Sequence, residues 1–194
     1  MENASAFLYF PQLFLKMSHS ELAKEVVRVS YLRGEFRLRS GQISSHYFDK
    51  YQFESNPLLL KQLAKEMVKK IPPDTEILAG LELGGVPLAT AISLEVELPV
   101  VFVRKTKKEY GTEKIAEGIN IQGKKLCIIE DVITTGGQVL KSTEALRNAG
   151  AIVDFVICVI WRGSTQDNSL EKAGIQKLSL FDMEELSVWM ESSL

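Results

Sequence analysis

The chain of 194 residues is long enough for one sizeable α/β domain, and its 45% hydrophobic and 25% charged residues are typical of a globular protein. Its formal net charge of −2 argues against a general nucleic-acid-binding protein, which would be basic overall. No stretch approaches the roughly 20 consecutive apolar residues of a membrane span, so no membrane partner is expected. Cys127 and Cys158 lie within apolar runs, which predicts buried free thiols in a reducing compartment, the cytoplasm.

The N-terminal residues 1–16 are apolar but do not fit a signal peptide. Glu2 stands where a basic residue is expected, and Pro11 interrupts the apolar run. A capping-box pattern at Ser18 then opens an amphipathic helix. We therefore expect residues 1–16 to be an extension and a single domain to span residues 17–194.

The next segment alternates apolar and charged residues on both sides of Ser40-Gly41, from Phe36 to Tyr51, which predicts a β-hairpin. Asn56 followed by Pro57 predicts the start of a helix that reaches about residue 71. We expect this part of the chain, about residues 17–56, to form a small hood.

Apolar runs and helical segments alternate through the rest of the chain. The runs predicted as strands are residues 76–82, 99–105, 124–130, 151–161 and 176–181. Helices are predicted from about residue 87, over residues 137–149 and after Asp182. Continuously apolar strands that alternate with helices imply an α/β fold with a mostly parallel, doubly wound sheet.

The stretch "CIIEDVITTGG", residues 127–137, carries the strongest chemical signal. In a parallel sheet, ligands bind at the carboxyl ends of the strands, and small residues before a helix offer backbone N–H groups to an anion. The spacing is neither that of a Walker A loop nor that of a dinucleotide fingerprint. The loop therefore predicts a phosphate site.

Two acids, Glu130 and Asp131, precede this loop at what we expect to be an exposed strand end. Their carboxylates would repel a phosphate unless they bind hydroxyl groups or a metal ion that accompanies it. A ribose 5-phosphate satisfies both features. The alternative is a solvated acidic turn.

Two further segments follow strands at the same expected edge. Residues 104–114, "RKTKKEYGTEK", form a basic loop in a net acidic chain, and residues 80–87, "GLELGGVP", place Gly84-Gly85 after a strand. A mobile basic loop could neutralise charge that leaves in a reaction, and a glycine turn could point N–H groups at phosphate. The alternative for the basic loop is a solvated run of charges.

These motifs resemble those of the type I phosphoribosyltransferases. "CIIEDVITTGGQ" is similar to their motif for phosphoribosyl diphosphate (PRPP), and "VRKTKKEYG" resembles the catalytic loop of the orotate branch. "GEFRLRSGQISSHYFD" and "GLELGGVP" are similar to that branch's base-site hairpin and pyrophosphate loop. The resemblance covers about residues 18–192.

The resemblance implies the following site residues. PRPP would be bound by Arg104, Lys105, Lys108, Tyr110, Glu130, Asp131, Val132, Ile133, Thr134, Thr135, Gly136, Gly137 and Gln138. Catalytic roles fall to Asp131, Lys105 and Lys108, the pyrophosphate loop is Leu83, Gly84 and Gly85, and orotate would contact Arg39, Tyr47, Phe48, Thr134 and Arg162.

The resemblance also implies transfer of ribose 5-phosphate to orotate, Mg²⁺ that arrives with PRPP and possible contact of that ion with Asp131, and a homodimer with shared active sites. Trp161 is a departure, because an aspartate is usual before Arg162; we expect Trp161 to pack under the last helix. Arg39 and His46 are the other departures, since the hairpin of the family often has lysine or serine and proline at these positions; His46 is expected to be a surface residue. Two alternatives stay open: a different acceptor base, and a regulator that senses PRPP without turning it over. Four positive charges at residues 104–108 favour an enzyme.

Overall fold

The computed structural model describes residues 17–37, 41–105, 114–164 and 166–192. Its helices are α1 (His19–Ser30), α2 (Tyr51–Ser55), α3 (Pro57–Val68), α4 (Gly85–Val96), α5 (Gly137–Asn148), α6 (Ser169–Lys172) and α7 (Met183–Ser192). Its strands are β1 (Tyr31–Arg37), β2 (Ile43–Phe48), β3 (Ile77–Leu81), β4 (Val100–Val103), β5 (Ala116–Glu117), β6 (Lys125–Ile133), β7 (Ile152–Trp161) and β8 (Gln176–Asp182).

The described strands form two sheets. β1 and β2 make an antiparallel hairpin of their own, and the central sheet has the order β5-β4-β3-β6-β7-β8. Every neighbouring pair in the central sheet is parallel except β4 and β5. The predicted mostly parallel α/β fold with a separate hairpin is confirmed.

Helices cover both faces of the central sheet because successive strand residues point to opposite faces. Leu78 and Ile129 pack in one core with residues of α1, α3, α4 and α7. Ala79 and Ile128 pack in a second core with residues of α5 and α6. No helix among the described segments is long and apolar enough to cross a membrane.

Local capping signals set the helix starts. The Ser18 hydroxyl accepts from the backbone N–H of Glu21, whose carboxylate accepts from the N–H of Ser18 at 2.8 Å, so the predicted capping box is confirmed. Asn56 caps α3 with proline at its first position, and Asp182 Oδ1 accepts from the N–H of Glu185 at 2.8 Å at the start of α7.

Four sequence expectations differ from the structure. The second hairpin strand ends at Phe48, and Tyr51 begins α2 instead of continuing the strand. β6 runs on to Ile133, beyond the expected end at residue 130, because β7 continues to pair with it as far as Trp161. The short elements β5 and α6 carry too little apolar pattern to be predicted.

The fourth difference concerns Trp161, which does not pack under the last helix. Its ring is buried in the core that contains Leu170 of α6, whereas Leu186 of α7 lies in the core on the opposite face of the sheet. Lys177 Nζ lies 3.5 Å from the centroid of the Trp161 ring. Alternation along β7 therefore directs Trp161 to the face that α5 and α6 cover.

Candidate active site

The carboxyl ends of β3, β6 and β7 lie side by side, because these strands are parallel neighbours in the central sheet. β3 leads through residues 82–84 into α4, and β6 leads through residues 134–136 into α5. The N–H of Arg162, directly after β7, donates to the carbonyl of Ile133 at 2.8 Å. This edge therefore brings together the predicted phosphate loop, the glycine loop and Arg162.

The phosphate loop ends at the N-terminus of α5. Gly136 has φ +70°, a left-handed conformation that favours glycine, and a Cβ there would lie 3.1 Å from the Leu170 side chain. Thr134 and Thr135 are exposed, and Gln138 donates to Ser142 Oγ at 3.2 Å. The first N–H groups of α5 can donate to a phosphate here, and the helix dipole favours its negative charge.

Asp131 is not at an exposed strand end, as the sequence led us to expect; its side chain is 0% exposed and lies within β6. Its Oδ1 accepts from the N–H of Val132 at 2.5 Å, and its Oδ2 lies 2.5 Å from Lys50 Nζ. Glu130 Oε2 accepts from the N–H of Asp131 at 3.0 Å. A fully buried carboxylate requires such a partner, since its desolvation is otherwise costly.

The glycine loop touches Asp131 directly. A Cβ at Gly84 would lie 1.5 Å from Asp131 Oδ2 and 2.8 Å from Glu54 Oε1. A Cβ at Gly85 would lie 2.2 Å from the carbonyl oxygen of Ile129. Only glycines allow this approach, so the predicted pyrophosphate loop and the predicted ribose-binding acid are in direct contact. Leu83 is exposed beside them, and the Glu82–Leu83 peptide bond is cis.

Sequence reasoning missed Lys50 and Glu54, which α2 brings to this surface. Burial raises the pKa of Glu54 to about 9, and the neighbouring Asp131 carboxylate adds to the effect. Burial, with repulsion from Asp131, likewise raises the pKa of Glu130 to about 8. Burial opposes the charge of Lys50, but Asp131 and Glu130 raise its pKa overall. Lys50 and Glu54 are four residues apart and therefore lie on one helix face. Nothing in the sequence indicated their role, because no local pattern links them to Asp131.

A cavity of about 280 Å³ separates the hairpin from the carboxyl edge. It is lined by Tyr31, Ser44, His46, Tyr47, Phe48, Arg162, Met183 and Met190. Three predicted base-site residues, Tyr47, Phe48 and Arg162, thus meet at one cavity with an apolar body and a cation at its wall. His46 is exposed, as expected, and also lines this cavity. Thr134 is not among its lining residues, and Arg39 lies outside the described residues.

The structure describes the basic segment only at its two ends, residues 104–105 and 114. The N–H of Arg104 donates to the carbonyl of Ile115 at 2.9 Å, and the N–H of Lys105 donates to Glu82 Oε2 at 3.0 Å. Lys105 is exposed, and it is joined by this bond to the residue that opens the glycine loop. The predicted site residues Lys108 and Tyr110 lie outside the described residues.

Comparisons with known proteins bear on the same residues. The family model for the phosphoribosyl transferase domain matches residues 51–181 of this chain. An orotate phosphoribosyltransferase of Nocardioides sp. is 47% identical over 88% of this chain and 96% of its own length, and one of Methanocella arvoryzae is 41% identical over 86% and 94%. The chain belongs to the orotate phosphoribosyltransferase family. The predicted family and pentosyltransferase class are confirmed.

Solved structures of this family share the fold. An orotate phosphoribosyltransferase of Mycobacterium tuberculosis superposes with a TM-score of 0.75 at 28% identity, covering 87% of this chain and 98% of that one. The same enzyme in complex with PRPP gives a TM-score of 0.72 at 26% identity, with the same coverage. An adenine phosphoribosyltransferase of Leishmania donovani, 19% identical over 87% of this chain and 83% of that one, has a TM-score of 0.62, so the fold alone does not select the base.

Proposed function

We propose that this family member transfers ribose 5-phosphate from PRPP to N1 of orotate, with orotidine 5′-monophosphate and pyrophosphate as products. The observation that carries the proposal is that two loops and a cavity wall meet at one edge: the threonine-glycine loop before α5, the glycine loop before α4, and the cavity wall at Arg162. Phosphate, pyrophosphate and an anionic base are the three groups that the reaction must hold together.

PRPP would lie along this edge with its 5-phosphate on the loop of Thr134–Gln138. The ribose hydroxyls would be held by Glu130 and Asp131, and the pyrophosphate would lie on the N–H groups of Leu83, Gly84 and Gly85. The contact between Gly84 and Asp131 supports this placement, because C1 of a ribose joins the hydroxyl-bearing ring to the pyrophosphate. Arg104, Lys105, Lys108 and Tyr110 would approach the pyrophosphate from the basic segment.

Orotate would bind with its ring in the hairpin cavity and its carboxylate against Arg162, since a guanidinium can bind a carboxylate through two parallel hydrogen bonds. N1 of orotate then displaces pyrophosphate from C1 through a transition state that resembles an oxocarbenium ion. Negative charge grows on the departing pyrophosphate, where preorganised donors and cations stabilise it. No enzyme nucleophile is required.

The residues present fit Mg²⁺ that is carried by PRPP rather than caged by protein. Among residues 17–37, 41–105, 114–164 and 166–192, no cluster of three or more His, Cys, Asp or Glu could hold a metal. Oδ2 of Asp131 is already paired with Lys50. Mg²⁺ commonly binds through substrate phosphates with one or two carboxylates, and it would neutralise charge on the leaving group.

We further propose a homodimer in which the basic segment of one protomer serves the site of its partner, and a cytoplasmic location. The two cysteines support that location, because both are buried and free. Mixing an Asp131→Asn variant with a Lys108→Ala variant tests the shared site. Restored activity in the mixture supports it, and a monomer by light scattering at assay concentration contradicts it.

An absorbance assay of orotate consumption with PRPP and Mg²⁺ tests the function. Orotate-dependent release of pyrophosphate is expected, with uracil and adenine as control bases that lack the carboxylate. Turnover of another base in preference to orotate would support the alternative in which Trp161 marks a changed base pocket. Binding of PRPP without turnover of any base would support a regulator.

A further inference from the structure

Lys50 occupies a particular place in the proposed PRPP site. Its ammonium lies 2.5 Å from Asp131 Oδ2, the oxygen that also abuts Gly84 of the glycine loop. The Lys50 side chain is 34% exposed, whereas Asp131 is 0% exposed. The cation therefore stands between solvent and the buried carboxylate.

The helix α2 brings a second group to the same spot. Glu54 lies one turn after Lys50, is 7% exposed, and directs its buried Oε1 at the position where a Gly84 Cβ would be. That oxygen has no hydrogen-bond partner among the described residues. Lys50, the N-cap of α2, and Glu54 within the helix thus both face Asp131 and Gly84.

Charge balance explains why a lysine is needed here. PRPP carries several negative charges, and an uncompensated carboxylate beside the glycine loop would repel it at low dielectric. An ammonium 2.5 Å from Oδ2 compensates that charge. The carboxylate then keeps Oδ1 and its backbone partner Val132 in a fixed relation to the ribose position.

We propose that Lys50 is a positioning residue for PRPP, which acts through Asp131 by neutralising and orienting its carboxylate, with Glu54 supporting the pair. This inference rests on the proposed function. Lys50 makes no direct contact with PRPP in this proposal. The affinity for PRPP nevertheless depends on Lys50, the N-cap residue of α2.

Lys50→Met tests the inference, since methionine keeps the length of the side chain and removes the charge. We expect the KM for PRPP to rise about tenfold or more and the KM for orotate to stay within about twofold. Lys50→Arg should recover part of the lost affinity because it keeps the charge. The matched control is Lys125→Met, which removes an ion pair with Asp74 at 2.6 Å near the start of β6 and should leave both KM values unchanged.

Several results would overturn the inference. An unchanged or lower KM for PRPP in Lys50→Met would mean that Lys50 is irrelevant or obstructs the site. Equal rises in both KM values together with a lower melting temperature would reduce Lys50 to a structural tether of the hairpin.

Lys50→Met leaves Asp131 buried without its partner, and the variant can therefore fail to fold. A second comparison tests the inference without that buried unpaired charge. The double variant with Asp131→Asn has neither charge, and calorimetry measures its affinity for PRPP with Mg²⁺ against that of Asp131→Asn alone. Equal affinities support action through Asp131, and a further loss of about tenfold would show direct contact with PRPP. If wild type binds no PRPP, the proposed function fails as well; if wild type turns over and Lys50→Met matches it, only this inference fails.

Discussion

Gly84→Ala adds one methyl group at the contact between the glycine loop and Asp131 in the proposed PRPP site. The added Cβ would lie 1.5 Å from Asp131 Oδ2 and 2.3 Å from its Cγ, distances that no packed atoms tolerate. The Asp131 carboxylate must move by about 2 Å to restore ordinary contact. That movement breaks its 2.5 Å pairing with Lys50 unless the lysine follows.

The expected cost combines three effects. Overpacking costs about 1–3 kcal/mol, and a broken buried ion pair costs about 3–5 kcal/mol, which is an upper limit because Lys50 is partly exposed. Alanine recovers up to about 1 kcal/mol, since Gly84 has a right-handed helical conformation. Because Lys50 is partly exposed, the loss of the ion pair is taken as about 2 kcal/mol, so the net loss is roughly 2–4 kcal/mol. That loss lowers the melting temperature by roughly 5–15 °C for a chain of this size.

Differential scanning calorimetry and steady-state kinetics measure the two consequences separately. We expect a lower melting temperature together with a KM for PRPP raised by about tenfold or more, because the ribose-binding carboxylate is displaced. Gly123→Ala is the control: its φ of +71° makes alanine strained, but nothing lies within 4 Å of the new Cβ, so the KM should not change. A Gly84→Ala variant with wild-type stability and kinetics would refute the reasoning.

Four further outcomes are expected. Arg162→Ala should raise the KM for orotate about tenfold or more, about 1.4 kcal/mol, with little change for PRPP; an equal loss for both substrates would contradict a role in base binding. Lys108→Ala should lower turnover roughly 10²-fold, and an equal loss in Lys107→Ala would show that only bulk charge matters. The pKa of Glu54 is about 9 in the folded state against an ordinary 4.5. Its contribution to stability is therefore complete below pH 4.5 and is lost as the pH rises towards 9. Glu54→Gln should make the melting temperature fall less over that pH range. Deletion of residues 1–16 should leave the melting temperature and activity unchanged, as circular dichroism and the orotate assay can check.

The sequence alone determined the elements whose signals are local. The capping box at Ser18, the proline after Asn56 and the apolar runs of β3, β6 and β7 are encoded in neighbouring residues. Helix starts and the succession of strands along the chain could therefore be predicted. The phosphate loop was predictable for the same reason, because a threonine-glycine turn before a helix is one contiguous segment. These signals also carried the family resemblance.

Only the tertiary structure decided which side chains meet. A carboxylate after an apolar run is by default exposed, and Asp131 is buried because Lys50, distant in the chain, neutralises it. The pairing of β7 with β6 extended that strand past the acids, and the face of β7 that α6 covers received Trp161. Such contacts depend on where distant elements pack, and no periodicity or spacing within a single segment contains that information.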